Sequence, residues 1–126
     1  MSNQKYIKTT LKVSGIFNTI AALSVAFPDT IGKFAELPPA GSPFHTALLA
    51  ALIFITGIIY FRMAYSEQAD VPLLIIAGIG KAAIFFIALY YYFNSILSFA
   101  AFSLAIGDLL FGVIFLGWVM FGRGKE

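Results

Sequence analysis

The chain contains a long apolar stretch with one charge at its centre: Pro72-Leu-Leu-Ile-Ile-Ala-Gly-Ile-Gly-Lys81-Ala-Ala-Ile-Phe-Phe-Ile-Ala-Leu-Tyr90. About nine residues separate Lys81 from the nearer end, which at about 1.5 Å per residue places it roughly 13 Å into a hydrocarbon layer of about 30 Å. At that depth the ammonium does not easily reach the headgroups, and an unpaired charge is costly. We therefore expect a partner for Lys81 on another membrane span.

Composition assigns the chain to the membrane proteins. Of its 126 residues, 60% are hydrophobic and only 11% are charged, and the mean hydropathy is +0.92. Soluble domains carry about 25% charged residues, so this chain could not cover its surface with polar groups in water. Four spans of about 20 residues use most of its length. We predict an all-α polytopic membrane protein: one four-helix transmembrane bundle comprising residues 1–126.

The same composition argues against several functions. The net charge is only +2 and the basic residues lie near span ends, so nucleic-acid binding is not expected. There is no cysteine and only one histidine, which argues against thiol chemistry, iron–sulfur clusters, haem and zinc. Gly78 and Gly80 precede an intramembrane lysine, so they do not form a phosphate-binding loop. We predict no cofactor, no metal and no enzymatic activity.

The hydropathy pattern predicts spans over about residues 7–27, 44–65, 72–93 and 96–121. The first span, with its basic flank and the small residues Ser24 and Ala26, also imitates a secretory signal peptide. Asn18 and Thr19 within the apolar run favour a retained span.

In the loop over residues 28–43, Asp29 could cap a short surface helix through Glu36, and a plain linker is equally compatible.

The basic residues are distributed unequally between the two sides of the predicted bundle. The side that holds the termini would carry Lys5, Lys8, Lys12, Arg62, Arg123 and Lys125. The opposite side would carry Lys33 alone. By the positive-inside rule, both termini are expected to be cytoplasmic.

Asp108 is the expected partner of Lys81. It lies about twelve residues before the inner end of the fourth span, hence roughly 18 Å deep, and a lysine side chain of about 6 Å can close the difference in level. A short turn joins the third and fourth spans, so they should pack as a hairpin and bring the two charges together.

The other two spans carry polar residues near the same depth. These are Asn18 on the first span, and Thr56 with Tyr60 one turn later on the second. Small residues, Gly15, Gly57, Gly78 and Gly112 among them, should allow close helix packing and turn these polar faces inward. The candidates for a ligand or proton site are therefore Asn18, Thr56, Tyr60, Lys81 and Asp108.

Several short motifs resemble those of the small bacterial four-span membrane proteins grouped as DoxX-like. The motifs are Gly15-Ile-Phe-Asn18 followed by Phe27-Pro28, Gly57-Ile-Ile-Tyr60, Gly80-Lys81 with Phe85-Phe86, and Gly107-Asp108-Leu109 with Phe115 and Trp118. The resemblance implies a four-helix bundle in the bacterial inner membrane. Some proteins of that group accompany membrane oxidoreductases and quinone-linked electron transfer, although this sequence contains no redox centre. A fold-level likeness does not establish function.

Four interpretations of the polar centre remain open at the level of sequence. The Lys81–Asp108 pair could serve only to fix helix packing. The leading functional hypothesis is a non-enzymatic accessory or small-ligand-binding protein in contact with the lipid bilayer, as a homo-oligomer or in a larger membrane complex. An alternative is a small-molecule, ion or proton transporter or channel that uses the pair at the midplane. Another is a binder of a quinone or other lipophilic molecule, with Tyr60 and Phe85 as walls.

Overall fold

The structure, a computed structural model, describes residues 3–39 and 41–122 as a helical bundle. Its helices are α1 (Asn3–Ala26), α2 (Pro43–Ala64), α3 (Val71–Phe93) and α4 (Phe99–Gly117), and a π-helical turn, Trp118–Gly122, extends α4. Each of the four is long and apolar enough to cross a membrane. The predicted class, an all-α four-helix transmembrane bundle, is confirmed.

Side-chain caps determine where α3 and α4 begin. Asp70 accepts a hydrogen bond of 3.0 Å from the backbone N–H of Leu73, which fixes the first turn of α3. Ser98 accepts one of 3.1 Å from the N–H of Ala101, so α4 begins at Phe99 rather than near Ile96. The polar cap therefore sets this boundary, although the apolar run starts earlier.

The loop between α1 and α2 contains only a short 3₁₀ turn, Ile31–Ala35. Of the two alternatives for this loop, a helix capped by Asp29 and continuing through Glu36 is not formed, because the N-cap position is Thr30 and Glu36 already has a left-handed backbone, with φ 49°. Gly32 folds back against the end of α1, where an added Cβ would overlap the carbonyl oxygen of Ser24. This close approach leaves no room for a side chain at position 32.

The four helices form two hairpins, each built on a close crossing of glycines. In the hairpin of α1 and α2, a Cβ added at Gly57 would lie 3.2 Å from Cβ of Asn18. In the hairpin of α3 and α4, a Cβ added at Gly112 would lie 3.0 Å from the carbonyl oxygen of Gly78. Small residues at such crossings let the backbones approach in the membrane, where there is no hydrophobic force between helices.

The hairpins meet mainly along α1 and α4. A Cβ added at Gly107 of α4 would lie 3.1 Å from the ring of Phe17 on α1, and Leu11 and Phe115 are fully buried toward one end of the same seam. In contrast, the backbones of α2 and α3 do not approach each other closely, although a short turn joins the two helices. The space between α2 and α3 becomes important for the site.

Polar contacts tie the hairpins together at both ends of the bundle. At the end with the α2–α3 turn, Lys8 donates to the carbonyl of Glu67 at 2.7 Å and the Trp118 indole N–H donates to the carbonyl of Asn3 at 3.0 Å. At the other end, the Ser98 hydroxyl donates to the carbonyl of Glu36 at 3.1 Å. Neighbouring helices therefore run antiparallel.

This arrangement places most of the described basic residues at one end of the bundle. Lys5, Lys8, Lys12 and Arg62 lie at the end with the α2–α3 turn, whereas Lys33 lies in the loop at the opposite end. Arg123 and Lys125, which were predicted to join the larger group, are outside the described residues.

Candidate functional site

Lys81 lies inside the bundle because it belongs to the buried face of α3. The buried residues of that helix are Leu74, Gly78 and Lys81, spaced at four and three residues, which puts them on one side. Only 3% of the lysine side chain is exposed. Its Nζ lies 2.8 Å from Oδ1 of Asp108, whose side chain is 16% exposed. The structure thus brings together the two charges whose depths the sequence matched.

Asn18 connects this ion pair to the other hairpin. Its Oδ1 accepts a hydrogen bond of 3.2 Å from the Lys81 ammonium, while its Nδ2 donates to the carbonyl of Ile53 on α2 at 3.3 Å. One ammonium group therefore bonds to α1 and α4 directly and reaches α2 through the amide. This network uses residues from all four helices at the middle of the bundle.

Three aromatic rings surround the same ammonium. Its Nζ lies 5.5 Å from the ring centre of Phe17, 5.3 Å from that of Tyr60 and 5.4 Å from that of Phe111. Each ring face attracts a cation, by about 2 kcal/mol where the group is desolvated. Sequence reasoning missed Phe17 and Phe111, although their positions beside Asn18 and one turn after Asp108 are the signal that could have found them.

Thr56 lies near the site but does not contact the charges. Its hydroxyl donates to the carbonyl of Leu52, four residues earlier on α2, at 2.8 Å. Tyr60 is buried against Phe115, with ring centres 5.7 Å apart, and its hydroxyl has no hydrogen-bond partner among the described residues. Of the two, Tyr60 is the one with an unused donor.

The ion pair itself retains unused hydrogen-bonding capacity. An ammonium group has three donors, and within residues 3–39 and 41–122 Lys81 uses two of them, toward Asp108 and Asn18. A carboxylate accepts at two oxygens, and over the same residues Asp108 receives a bond at Oδ1 alone. A donor and an acceptor are thus left next to each other on groups that are largely out of water.

A cleft of about 540 Å³ leads to these groups between α2 and α3. Its walls are apolar and include Leu49, Leu52 and Ile53 from α2 and Ile76, Ala77 and Ile84 from α3. Its inner end is formed by Phe17, Asn18, Tyr60, Lys81 and Asp108, and Thr56 and Gly80 also line it.

The cleft opens sideways along the helices. Leu52 is 56% exposed and Ile76 is 66% exposed, and both lie well inside spans, so the mouth faces the lipid. Of the two predicted walls, Tyr60 lines the cleft. Phe85 is not among its lining residues and packs on α4, with its ring centre 5.8 Å from that of Phe102.

A larger recess of about 890 Å³ lies beneath the loop between α1 and α2. Its charged residues are Asp29, Lys33 and Glu36, which are exposed and belong to the surface. Among the described residues, no group of three or more histidine, aspartate or glutamate side chains is placed to hold a metal ion. The cleft at Lys81 is therefore the stronger candidate site.

Comparison of the chain with protein-family models, with curated proteins and with solved structures finds no match.

Proposed function

We propose that this multi-pass membrane protein is a non-enzymatic binder of a small ligand, and that the ligand binds at Lys81. The observation that supports the proposal is the cleft of about 540 Å³ that ends at the unused donor of Lys81 and the unused acceptor of Asp108. Ligand sites in proteins commonly combine apolar walls with a few polar groups that orient the ligand.

A purely structural role for the pair explains less of what is observed. A buried polar network that only fixes helix packing is most stable when every donor and acceptor is satisfied. Within the described part of the chain, Lys81, Asp108 and Tyr60 each keep a hydrogen-bonding group without a partner, and all three line the same cleft. The combination of unsatisfied polar groups and an adjoining cleft favours a site that a ligand completes.

The transporter or channel alternative has less support from the geometry. A path across the membrane would have to continue from Lys81 toward both ends of the bundle. Toward the end with the α2–α3 turn, the core is closed by Leu11, Leu74 and Phe115, which are fully buried, and by Tyr60. The cleft leads instead to the bilayer.

We further propose that the protein belongs to the DoxX-like group and lies in the bacterial cytoplasmic membrane with both termini cytoplasmic. The motifs around Asn18, Lys81 and Asp108 support the grouping, and the unequal distribution of basic residues supports the orientation. The accessory role, in a homo-oligomer or a larger membrane complex, follows from the absence of catalytic groups in the sequence.

Two glycine substitutions test whether the cleft holds a ligand. Gly80 lines the cleft, and a Cβ added there has open space around it, so Gly80→Leu would place a side chain in the cleft while Lys81 and Asp108 remain unmutated. Gly117 of α4 is equally open but lies outside the cleft, which makes Gly117→Leu the matched control. Both changes remove a helix glycine and should gain similar helix propensity.

The readout is native mass spectrometry of protein purified from its own membrane in mild detergent. We expect a small molecule to remain bound to the wild type and to Gly117→Leu, and to be lost from Gly80→Leu. If all three proteins carry the same bound mass, or none does, the cleft is not a ligand site and the proposal is wrong.

A further inference from the structure

We infer that the ligand is a neutral, single-chain amphiphile that enters from the bilayer between α2 and α3 and hydrogen-bonds to Lys81 and Asp108 through a carbonyl or hydroxyl head group. This inference rests on the proposed function and adds the chemical class of the ligand. Three features of the cleft support it: its charge balance, its unused hydrogen-bonding groups and its depth in the membrane.

The charge balance favours a neutral head group. The charges of Lys81 and Asp108 lie 2.8 Å apart and cancel, and among the described residues no other charged side chain lines the cleft. An anionic head would add an uncompensated negative charge beside the Asp108 carboxylate, and a cationic head would add a positive charge beside the ammonium. Uncompensated charge is strongly unfavourable away from water, whereas a hydroxyl or carbonyl group adds none.

The unused groups fit a head that both accepts and donates. The third N–H of Lys81 and the hydroxyl of Tyr60 can donate to a carbonyl or hydroxyl oxygen. The second carboxylate oxygen of Asp108 can accept from a hydroxyl group. Bonds to charged groups contribute more than neutral ones, so a short polar head can be held firmly without an ionic contact.

The depth of Lys81 in the membrane argues against an ordinary phospholipid as the ligand. Lys81 is at the middle of α3, roughly 13 Å into the hydrocarbon layer by the rise of the helix. The charged phosphodiester of a phospholipid stays at the interface. Its acyl chains could fill the cleft, but its head group cannot reach Lys81 and Asp108. A neutral head with one or two oxygens can descend to that depth, because the hydrogen bonds formed there offset its lost hydration.

The apolar walls provide the site for the chain of the amphiphile. Leu52, Ile76 and Ile84 line the cleft and remain about half exposed or more, so a chain lying between α2 and α3 would cover them on one side and contact lipid on the other. The absence of backbone packing between α2 and α3 provides the entrance.

Fluorescence quenching by brominated lipids tests the inference in bilayer nanodiscs. A tryptophan in the cleft wall, Ile84→Trp, is compared with one on the opposite side of α3 at a similar depth, Phe86→Trp, which is exposed and outside the cleft. Trp118, the natural tryptophan, is present in both proteins, and its signal is subtracted using the parent. Three probes carry the same dibrominated chain: a monoacylglycerol, an alkyl sulfate and a phosphatidylcholine.

We expect the monoacylglycerol to quench Ile84→Trp saturably and with an apparent affinity about tenfold or more above that for Phe86→Trp. The alkyl sulfate should show no such preference. Adding Lys81→Met together with Asp108→Leu, a pair of changes that removes both charges at once, should abolish the preference while leaving quenching by phosphatidylcholine unchanged.

Each contrary result has a distinct meaning. Preferential quenching by the alkyl sulfate would overturn the neutral head group but leave ligand binding intact. Equal quenching at both positions by all three probes would mean that ordinary acyl chains fill the cleft, and the inference would be wrong. If no probe reaches Ile84→Trp while all reach Phe86→Trp, another protein surface such as a second copy covers the cleft, and both the inference and the proposed function fail.

Discussion

The Lys81–Asp108 pair predicts a distinctive pattern of stability when its two members are replaced singly and together. At 2.8 Å and an effective dielectric constant of about 20, the charges attract each other by about 6 kcal/mol. Desolvation costs several kcal/mol for each ion, so the pair contributes little net stability. Removing one member leaves the other charge without this compensation. We therefore expect Lys81→Met or Asp108→Leu alone to lower the free energy of unfolding by about 3 to 5 kcal/mol.

The double variant should be far milder than either single change. It leaves no charge at the centre, and a methionine at position 81 keeps contact with the rings of Phe17, Tyr60 and Phe111, which partly replaces the attraction of the ammonium. The main loss of stability in the double variant comes from Asn18, because its Oδ1 no longer receives a hydrogen bond, and this loss is about 1 to 2 kcal/mol. The coupling energy between the two changes should thus be about 4 kcal/mol or more.

Unfolding in mixed micelles by a denaturing detergent measures these differences. Trp118 is the one tryptophan of the chain and is buried, so its fluorescence reports the transition. Lys12→Met is the control, since it removes the same charge from a lysine that lies 4.9 Å from the Tyr65 ring near the end of the bundle, and it should cost about 1 kcal/mol or less. Additive single effects, or single variants as stable as the control, would refute the reasoning about the buried pair.

Two further predictions concern helix packing and the outer loop, and the same assay measures both. Gly112→Ala should destabilise the protein by about 1 to 3 kcal/mol, because the added Cβ would press on the Gly78 carbonyl. Gly80→Ala, whose Cβ meets open space, should stabilise it by about 0.5 to 1 kcal/mol. Equal effects of the two substitutions would contradict the close crossing of α3 and α4. Ser98→Ala should lower the free energy of unfolding by about 1 to 2 kcal/mol and increase amide hydrogen exchange in the loop, because it removes both the cap of α4 and the bond to Glu36. The control, Ser103→Ala on the exposed face, should change neither the stability nor the exchange.

The depth of the charges could be predicted from the sequence because helix geometry fixes it. A constant rise per residue and a short connection between spans set the level of Lys81 relative to Asp108, and no knowledge of packing was needed. The start of α4 was harder to predict, because the cap Ser98 delays the helix to Phe99, three residues after the apolar run begins at Ile96. Apolar content fixes the span, and a single polar cap fixes its boundary.

The cleft could not be predicted because it depends on which helix faces meet. The helix α2 is apolar on nearly all sides, so its sequence does not distinguish a face that packs on α3 from one that faces lipid. Phe17 and Phe111 are two of 14 phenylalanines, and only their positions beside Asn18 and one turn after Asp108 distinguish them from the rest in the sequence. Thr56 lines the cleft near the depth that the sequence predicts, but its hydroxyl donates to the backbone carbonyl of Leu52 on its own helix and does not bond to the charged pair.

The division into two hairpins determines which hydrogen bond of Lys81 would break if the hairpins moved apart at the middle of the bundle. The contact of Lys81 with Asp108 lies within one hairpin and moves with it, while its bond to Asn18 crosses from one hairpin to the other. Trp118 and Ser98 join the two hairpins at opposite ends of the bundle. The bond to Asn18 is therefore the one that a separation of the hairpins at this level would break, while the opposite charges of Lys81 and Asp108 would stay together.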